Sequence, residues 1–318
     1  MSSFPKHQKL AEAGDPHGTY ELGCDYYAGD GVEKDVQKAL IFYKKSADLG
    51  YIDAMVAYAL LHLQDINGPD SQVEAYRYMK MAAEKNSPVA NFHFGNFNLQ
   101  GIGCEIDSII AANHFKIAAD LGYADAANSY GECLQTGRGV KKDEFMAVKY
   151  FKIAAENHSY AGCVNYGLIL FNGKQVPQDL KKAHEYFKKA AEAGFPLGIR
   201  NLAMTYMNGQ GCEKDVKKAA QLFEVGTELG DSFCATNLAA MYQDGIGVEK
   251  DVPRAASMLV ELAKTGDPIA QFNLALILLK GDGIQPNIES AKEFLKLAAD
   301  AGHEKAKFVL QKLAESGA

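Results

Sequence analysis

The sequence predicts an all-α solenoid of 36-residue helix–turn–helix repeats, and three observations carry that prediction. The stretch GDGVEKDVQKAL at 29–40 returns as GIGVEKDVPRAA at 245–256, 216 positions later, which is six periods of 36. Ala39 recurs in steps of 36 as Ala75, Ala111, Ala147, Ala183, Ala219, Ala255 and Ala291, without one shift of register. Within a period, Ala39, Tyr43, Ser46 and Ala47 fall at i, i+4, i+7 and i+8, the spacing of one helix face. Self-similarity at a fixed period of this length marks stacked supersecondary units.

Each unit reads as two helices. The first type carries Ala54, Tyr58, Ala59 and His62, which in the sixth unit become Gly198, Leu202, Ala203 and Tyr206. Small residues on that face let neighbouring helices approach, and the large aromatic fills the remaining gap. A turn follows, marked by glycine pairs at 29 and 31, 101 and 103, 137 and 139, 209 and 211, 245 and 247, and 281 and 283. Glycine there supplies positive φ at little cost. Two copies depart: QDINGPD replaces the pair at 64–70, and NGKQVPQD keeps Gly173 but puts Gln175 at the second place. The fifth turn is therefore either re-routed to end at Pro177 or strained at Gln175.

The second-type helix opens at a column of cap-forming residues: Asp35, Ser71, Asp107, Asp143, Asp179, Asp215, Asp251 and Asn287. It ends at Gly50, Gly122, Gly194, Gly230, Gly266 and Gly302, with Asn86 and His158 in the glycine's place. One solenoid domain over 1–318 results, with repeats at 14–49, 50–85, 86–121, 122–157, 158–193, 194–229, 230–265 and 266–301. Half-repeats at 1–13 and 302–318 cap it, and at least 17 helices are expected.

Composition narrows the function. A net charge of −7 argues against an extended nucleic-acid surface, and no run approaches the length of a membrane span. The opening MSSFPKHQKLAEAGD has no apolar core of a signal peptide, so a cytoplasmic chain is expected. Cys24, Cys104, Cys133, Cys163, Cys212 and Cys234 form no CxxC pair and read as packed free thiols. The eight histidines show no H-x-x-x-H spacing, no nucleophile–base set stands out, and the repeated glycine turn is never followed by GK[ST]. No catalytic residue, metal or cofactor is expected.

The stretches ADAANSYGECLQTGRGVKKDEFMAVKYFKIAAEN and PLGIRNLAMTYMNGQGCEKDVKKAAQLFEVGTELG give the repeat its signature of Gly, Asp, Ala and aromatic positions. It resembles the Sel1-like repeat, a relative of the tetratricopeptide repeat, over residues 11–318. The resemblance implies a right-handed superhelix of stacked helix pairs with first-type helices lining a concave face, and a role as adaptor or scaffold for protein complexes. It also brings a second reading, a β-lactam-binding hydrolase of the kind linked to cysteine-rich relatives. Those relatives bridge each helix pair with cysteines, and this chain has no such pair.

A partner would meet the face of the first-type helices opposite their packing side. There Asn165, Asn201, Asn237 and Asn273 repeat at 36-residue intervals, with Asn172 and Asn208 two turns further along. An amide offers both a donor and an acceptor, so such a ladder suits the backbone of an extended peptide. It equally suits bonds to a neighbouring repeat that set the pitch. Leu168, Leu197, Met204, Phe233, Ile269 and Leu276 surround the ladder, either as anchors, with Met204 and Phe233 foremost, or as shared core. The expectation is a monomeric protein-binding scaffold whose groove takes a partner peptide or helix, with no nucleic acid and no integral membrane segment.

Overall fold

Several first-type helices start at a side-chain cap or a proline. Asp15 accepts the Gly18 amide ahead of α2 (Pro16–Ala28), Ser87 that of Ala90 ahead of α6 (Pro88–Gln100), and Asp267 those of Ile269 and Ala270 ahead of α16 (Pro268–Lys280). Proline at the first helical position lacks an N–H that would have no partner anyway. The computed structural model describes residues 3–65, 69–281 and 283–315. Among them are eighteen α-helices and no strand.

The other first-type helices are α4 (Ile52–Asp65), α8 (Ala124–Thr136), α10 (Tyr160–Asn172), α12 (Pro196–Asn208) and α14 (Ser232–Asp244). The second-type helices are α3 (Val36–Asp48), α5 (Pro69–Glu84), α7 (Ser108–Asp120), α9 (Glu144–Glu156), α11 (Leu180–Glu192), α13 (Val216–Glu228), α15 (Val252–Lys264) and α17 (Ile288–Asp300). Single helices α1 (Phe4–Glu12) and α18 (Glu304–Glu315) flank the eight pairs. The chain divides into two compact units, Met1–Gly162 and Cys163–Ala318. In the first, helices α1 to α8 each pack on their successor; in the second, α11 to α17 do the same.

The cap column works as the sequence predicts in seven of eight repeats. Asp35, Asp107, Asp143, Asp179, Asp215, Asp251 and Asn287 each accept a first-turn amide through the side chain. Their own amides bond back to the first-type helix, as from Asp215 to the Tyr206 carbonyl at 2.9 Å. Ser71 is the exception. Helix α5 begins two residues earlier at Pro69, so Ser71 lies inside its first turn, and its buried hydroxyl donates to the His62 carbonyl at 3.0 Å. The irregular 64–70 stretch that precedes it lies partly outside the described residues.

The turn glycines have two separate duties. Gly209 ends α12 with φ 69°, and Gly211 follows at φ 80°. At Gly211 there is also no room for a side chain: a β-carbon would overlap the carbonyl oxygen of Leu180, the first residue of α11 in the preceding repeat. Gly103, Gly139 and Gly247 press in the same way on Gln72, Ser108 and Val216. The second glycine is thus a stacking surface as well as a hinge. Gln175 does not adopt positive φ, which only Asn86 and His158 do among described non-glycine residues, so the strained alternative for the fifth turn falls away. That turn still closes through the Asp179 amide on the Leu170 carbonyl at 2.9 Å.

Asn86 (φ 59°) and His158 (φ 68°) occupy the glycine column after a second-type helix. At the equivalent Gly194 and Gly230 an added β-carbon meets nothing, so backbone strain is the only cost of a side chain there. His158→Gly is expected to raise the unfolding free energy by about 1 kcal/mol. Asn86→Gly should do less, since asparagine tolerates this region. Urea unfolding of both variants checks the order, and an unchanged His158→Gly midpoint would contradict it.

Inside each repeat, the two helices are matched in size. The Ala39 column is at most 2% exposed throughout, and the Tyr43 column supplies the large knob: Phe115, Phe151, Phe187 and Phe223 are all at most 1% exposed. Opposite the knob sits Gly23, Gly95, Gly131 or Gly167 where the knob is Tyr43, Phe115, Phe151 or Phe187. A β-carbon on Gly95 would fall 2.6 Å from the Phe115 ring, and one on Gly167 2.7 Å from Phe187. Where the knob is Met79, Leu259 or Leu295, the same place holds Ala59, Ala239 or Ala275. In these four repeats glycine is a notch cut for a ring, while the ring of Phe223 packs where Ala203 holds that place.

Candidate functional site

The candidate ladder lies within the second unit, on α10, α12, α14 and α16. Helix caps decide what stands at its upper edge. Phe195 precedes Pro196, Asp231 accepts the Cys234 amide at 2.8 Å, and Asp267 caps α16, so Leu197, Phe233 and Ile269 all occupy the second helical position. There a side chain points away from the core. Leu197 is 43%, Phe233 38% and Ile269 50% exposed, giving an apolar stripe at one level on three successive first-type helices.

One turn further on stand the asparagines. Asn165, Asn201, Asn237 and Asn273 are half-buried. The Asn201 amide nitrogen donates to the Leu197 carbonyl at 2.7 Å, and that of Asn237 donates to the Phe233 carbonyl at 2.8 Å. These bonds stay within each helix, so in these two residues they do not tie one repeat to the next. Each locks its amide directly beneath the apolar residue of the same rung. Asn172 and Asn208 are exposed near the helix C-termini, and Asn208 donates to Gln210 at 3.3 Å.

The other apolar residues divide. Met204 packs on the buried cluster around Phe223 and Leu238, and Leu168 on that around Leu170 and Phe187. Leu276 is half-buried. Met204 and Leu168 thus serve the core, while Leu197, Phe233 and Ile269 remain open.

Sequence reasoning passed over Arg200. From α12 it reaches the start of α14, where its Nε donates to Asp231 at 2.9 Å and its guanidinium lies 5.0 Å from the centre of the Phe233 ring. One charged group thereby orients both the cap of α14 and the exposed aromatic. Burial works to raise the Asp231 pKa, but hydrogen bonds from Arg200 and the Cys234 amide outweigh it, so the carboxyl stays below its ordinary range. The readable signal was a lone arginine in the column Val164, Arg200, Thr236, Phe272, facing an aspartate 31 residues on.

Burial favours the protonated form of the buried thiols. Burial, helped by the Asp231 charge, pushes Cys234 up to about 12, and burial takes Cys133 in the first unit to about 11. All six cysteines are unpaired. Among the described residues no group of three or more His, Cys, Asp or Glu could hold a metal ion, and no helix is long and apolar enough to cross a membrane.

Comparison with known proteins gives the architecture its family. The Sel1 repeat profile matches residues 16–51, 52–87, 88–123, 124–159, 161–195, 196–231, 232–264 and 268–303. A protective antigen of uropathogenic Escherichia coli displaying an SLR fold superposes with a TM-score of 0.81 at 26% identity, covering 98% of this chain and 67% of the other. A Sel1 repeat protein from Oxalobacter formigenes superposes with a TM-score of 0.66 at 27% identity, over 76% of this chain and 96% of the other. An uncharacterized protein of Neisseria meningitidis is 32% identical over 95 residues, 30% of this chain and 19% of that protein's length. The fold and family are those of non-catalytic protein-interaction scaffolds. With eight consecutive repeats matched, the chain belongs to the Sel1 repeat family.

Proposed function

We propose that this chain is a scaffold that binds an extended peptide segment of a protein partner across α12, α14 and α16. The observation that carries the reading is the pairing of two parallel stripes: exposed Leu197, Phe233 and Ile269, with Asn201, Asn237 and Asn273 one turn below. An extended peptide alternates side chains and backbone groups, and this face offers apolar contact beside amide donors and acceptors at each rung. The bonds that Asn201 and Asn237 make to their own helices hold the amides in place, and an amide retains further capacity beyond one such bond. Arg200 fixes the ring of Phe233, so this anchor is presented with little entropy left to lose.

Peptides selected from a displayed random library on the full chain provide the probe. Their affinity, measured by calorimetry, should fall tenfold or more on Phe233→Asp, an order of about 1.4 kcal/mol or above. Asn237→Ala should cost roughly 1 kcal/mol of binding with little change in urea unfolding. Selected peptides that bind both variants as tightly as the parent would refute the assignment of this face.

A further inference from the structure

The first unit carries an apolar edge that neither the fold nor the peptide face uses. Second-type helices normally begin with polar residues, as in Gln37 and Lys38, Lys181 and Lys182, or Lys217 and Lys218, all exposed. In three successive repeats the first of these positions is apolar, and in two of them the second as well, Glu74 holding it on α5. Val73 on α5 is 56% exposed, Ile109 and Ile110 on α7 64% and 38%, and Phe145 and Met146 on α9 76% and 38%. Ile106, in the turn entering α7, is 68% exposed. These residues are neighbours: Gly103 of that turn rests on Gln72, beside Val73, and Gly139 of the next turn rests on Ser108 and Ile109.

We infer that this edge is a homodimer interface, closed by a second copy of the chain about a twofold axis near Ile109. Taking about 150–200 Å² for each such side chain in full, the six leave roughly 600 Å² of apolar surface open. That is the upper end of the largest patch on a typical monomer, about 300–600 Å². It is also some three quarters of the ~800 Å² that each partner of a standard interface buries. The flanking charges choose the occupant. Toward α5 lie exposed Asp70 and Glu105; toward α9 lie exposed Lys141, Lys142 and Lys149. Arg77 at the first end, and exposed Asp143 and Glu144 at the second, the latter paired with Lys142 at 2.7 Å, reduce this polarity without reversing it. A twofold operation reverses the order of the stripe, so each copy's acidic end meets the other's basic end while Ile109 meets Ile109. Any other partner would have to carry both signs in the same order; a second copy carries them by construction. The edge and the peptide face share no residue, so either reading can fail alone.

Sedimentation equilibrium of the full chain over roughly 1–100 μM tests the inference, since this range spans the affinity expected of a modest interface. A concentration-dependent dimer is expected, and Phe145→Glu and Ile109→Lys should each raise its dissociation constant tenfold or more. Circular dichroism and urea unfolding should show both variants folded, since these side chains are largely in solvent. Asp70→Lys and Lys149→Asp should each weaken the dimer, and the two together should restore it. A wild type monomeric throughout, a dimer indifferent to Phe145→Glu, or a charge swap without recovery would each overturn the proposal.

Discussion

Gly211→Ala is expected to lower the unfolding free energy by about 2–5 kcal/mol, although it adds a single methyl group in a turn. Two costs combine. At φ 80° an L-residue is in the left-handed region, which costs about 1–2 kcal/mol. The new β-carbon also overlaps the carbonyl oxygen of Leu180, part of the backbone at the start of α11. It cannot be relieved by a rotamer change, so the turn must lift off the preceding repeat, at about 1–3 kcal/mol for an overpacked contact. Gly209→Ala is the control: φ is 69°, but its β-carbon would only touch the Lys214 side chain at 3.2 Å. It should lose the backbone part alone. Urea unfolding of the two variants separates the contributions, and equal losses would show that stacking on Leu180 adds nothing.

Arg200→Ala should cost about 2–4 kcal/mol, more than an ordinary surface ion pair, whose worth is about 0–1 kcal/mol. The Asp231 side chain is only 6% exposed, and one of its oxygens is committed to the Cys234 amide. Without the arginine a buried carboxylate keeps its charge and loses its main partner, and Phe233 loses the guanidinium lying over it. The pH dependence has a definite sign. Burial opposes the ionised form of Asp231, but the bonds from Arg200 and Cys234 prevail and hold its folded pKa below the unfolded one. Its contribution is therefore complete above the ordinary aspartate value of about 3.9 and disappears as pH falls through the folded pKa. The gap between wild type and Arg200→Ala in urea unfolding should thus narrow below about pH 4. A gap that stays constant to the lowest pH at which both fold would contradict this account.

The repeat, the caps and the helix ends were legible because each rests on backbone geometry, which residue type reports directly. Aspartate at position 35 and glycine at position 50 can be read as cap and terminator without knowing any neighbour. Ser71 misled because an early proline start draws α5 back by a turn fragment, and a serine hydroxyl satisfies a carbonyl as readily as it caps. The second turn glycine was read as a hinge, since its contact with the preceding repeat depends on stacking distance, which a period does not disclose. The asparagines show the same limit on a smaller scale. Helical phase places Asn201 and Asn237 on the outer face, but whether an amide turns toward its own helix or outward is a rotamer matter. The open edge was present in the sequence as Val73, Ile109 and Phe145 in a column that holds Gln37, Lys181 and Lys217 elsewhere, but their exposure depends on packing that a period does not disclose.

The fit of glycine notch to aromatic knob bears on how such a gene can recombine. Gly95 is cut for Phe115 and Gly131 for Phe151, while Ala239 faces Leu259 and Ala275 faces Leu295. Each match joins the two helices of one repeat. An unequal crossover in the segment after Asn157 or Gly194 would exchange complete, matched pairs and leave every interior filled. A crossover in the loop between α8 and α9 would set Gly131 against a leucine and leave a void, whereas alanine against phenylalanine is a pairing the chain already accommodates at Ala203 and Phe223. Duplication and loss are thus tolerated in whole periods at one joint and penalised at the other, so lineages can lengthen or shorten the array while each rung keeps its chemistry.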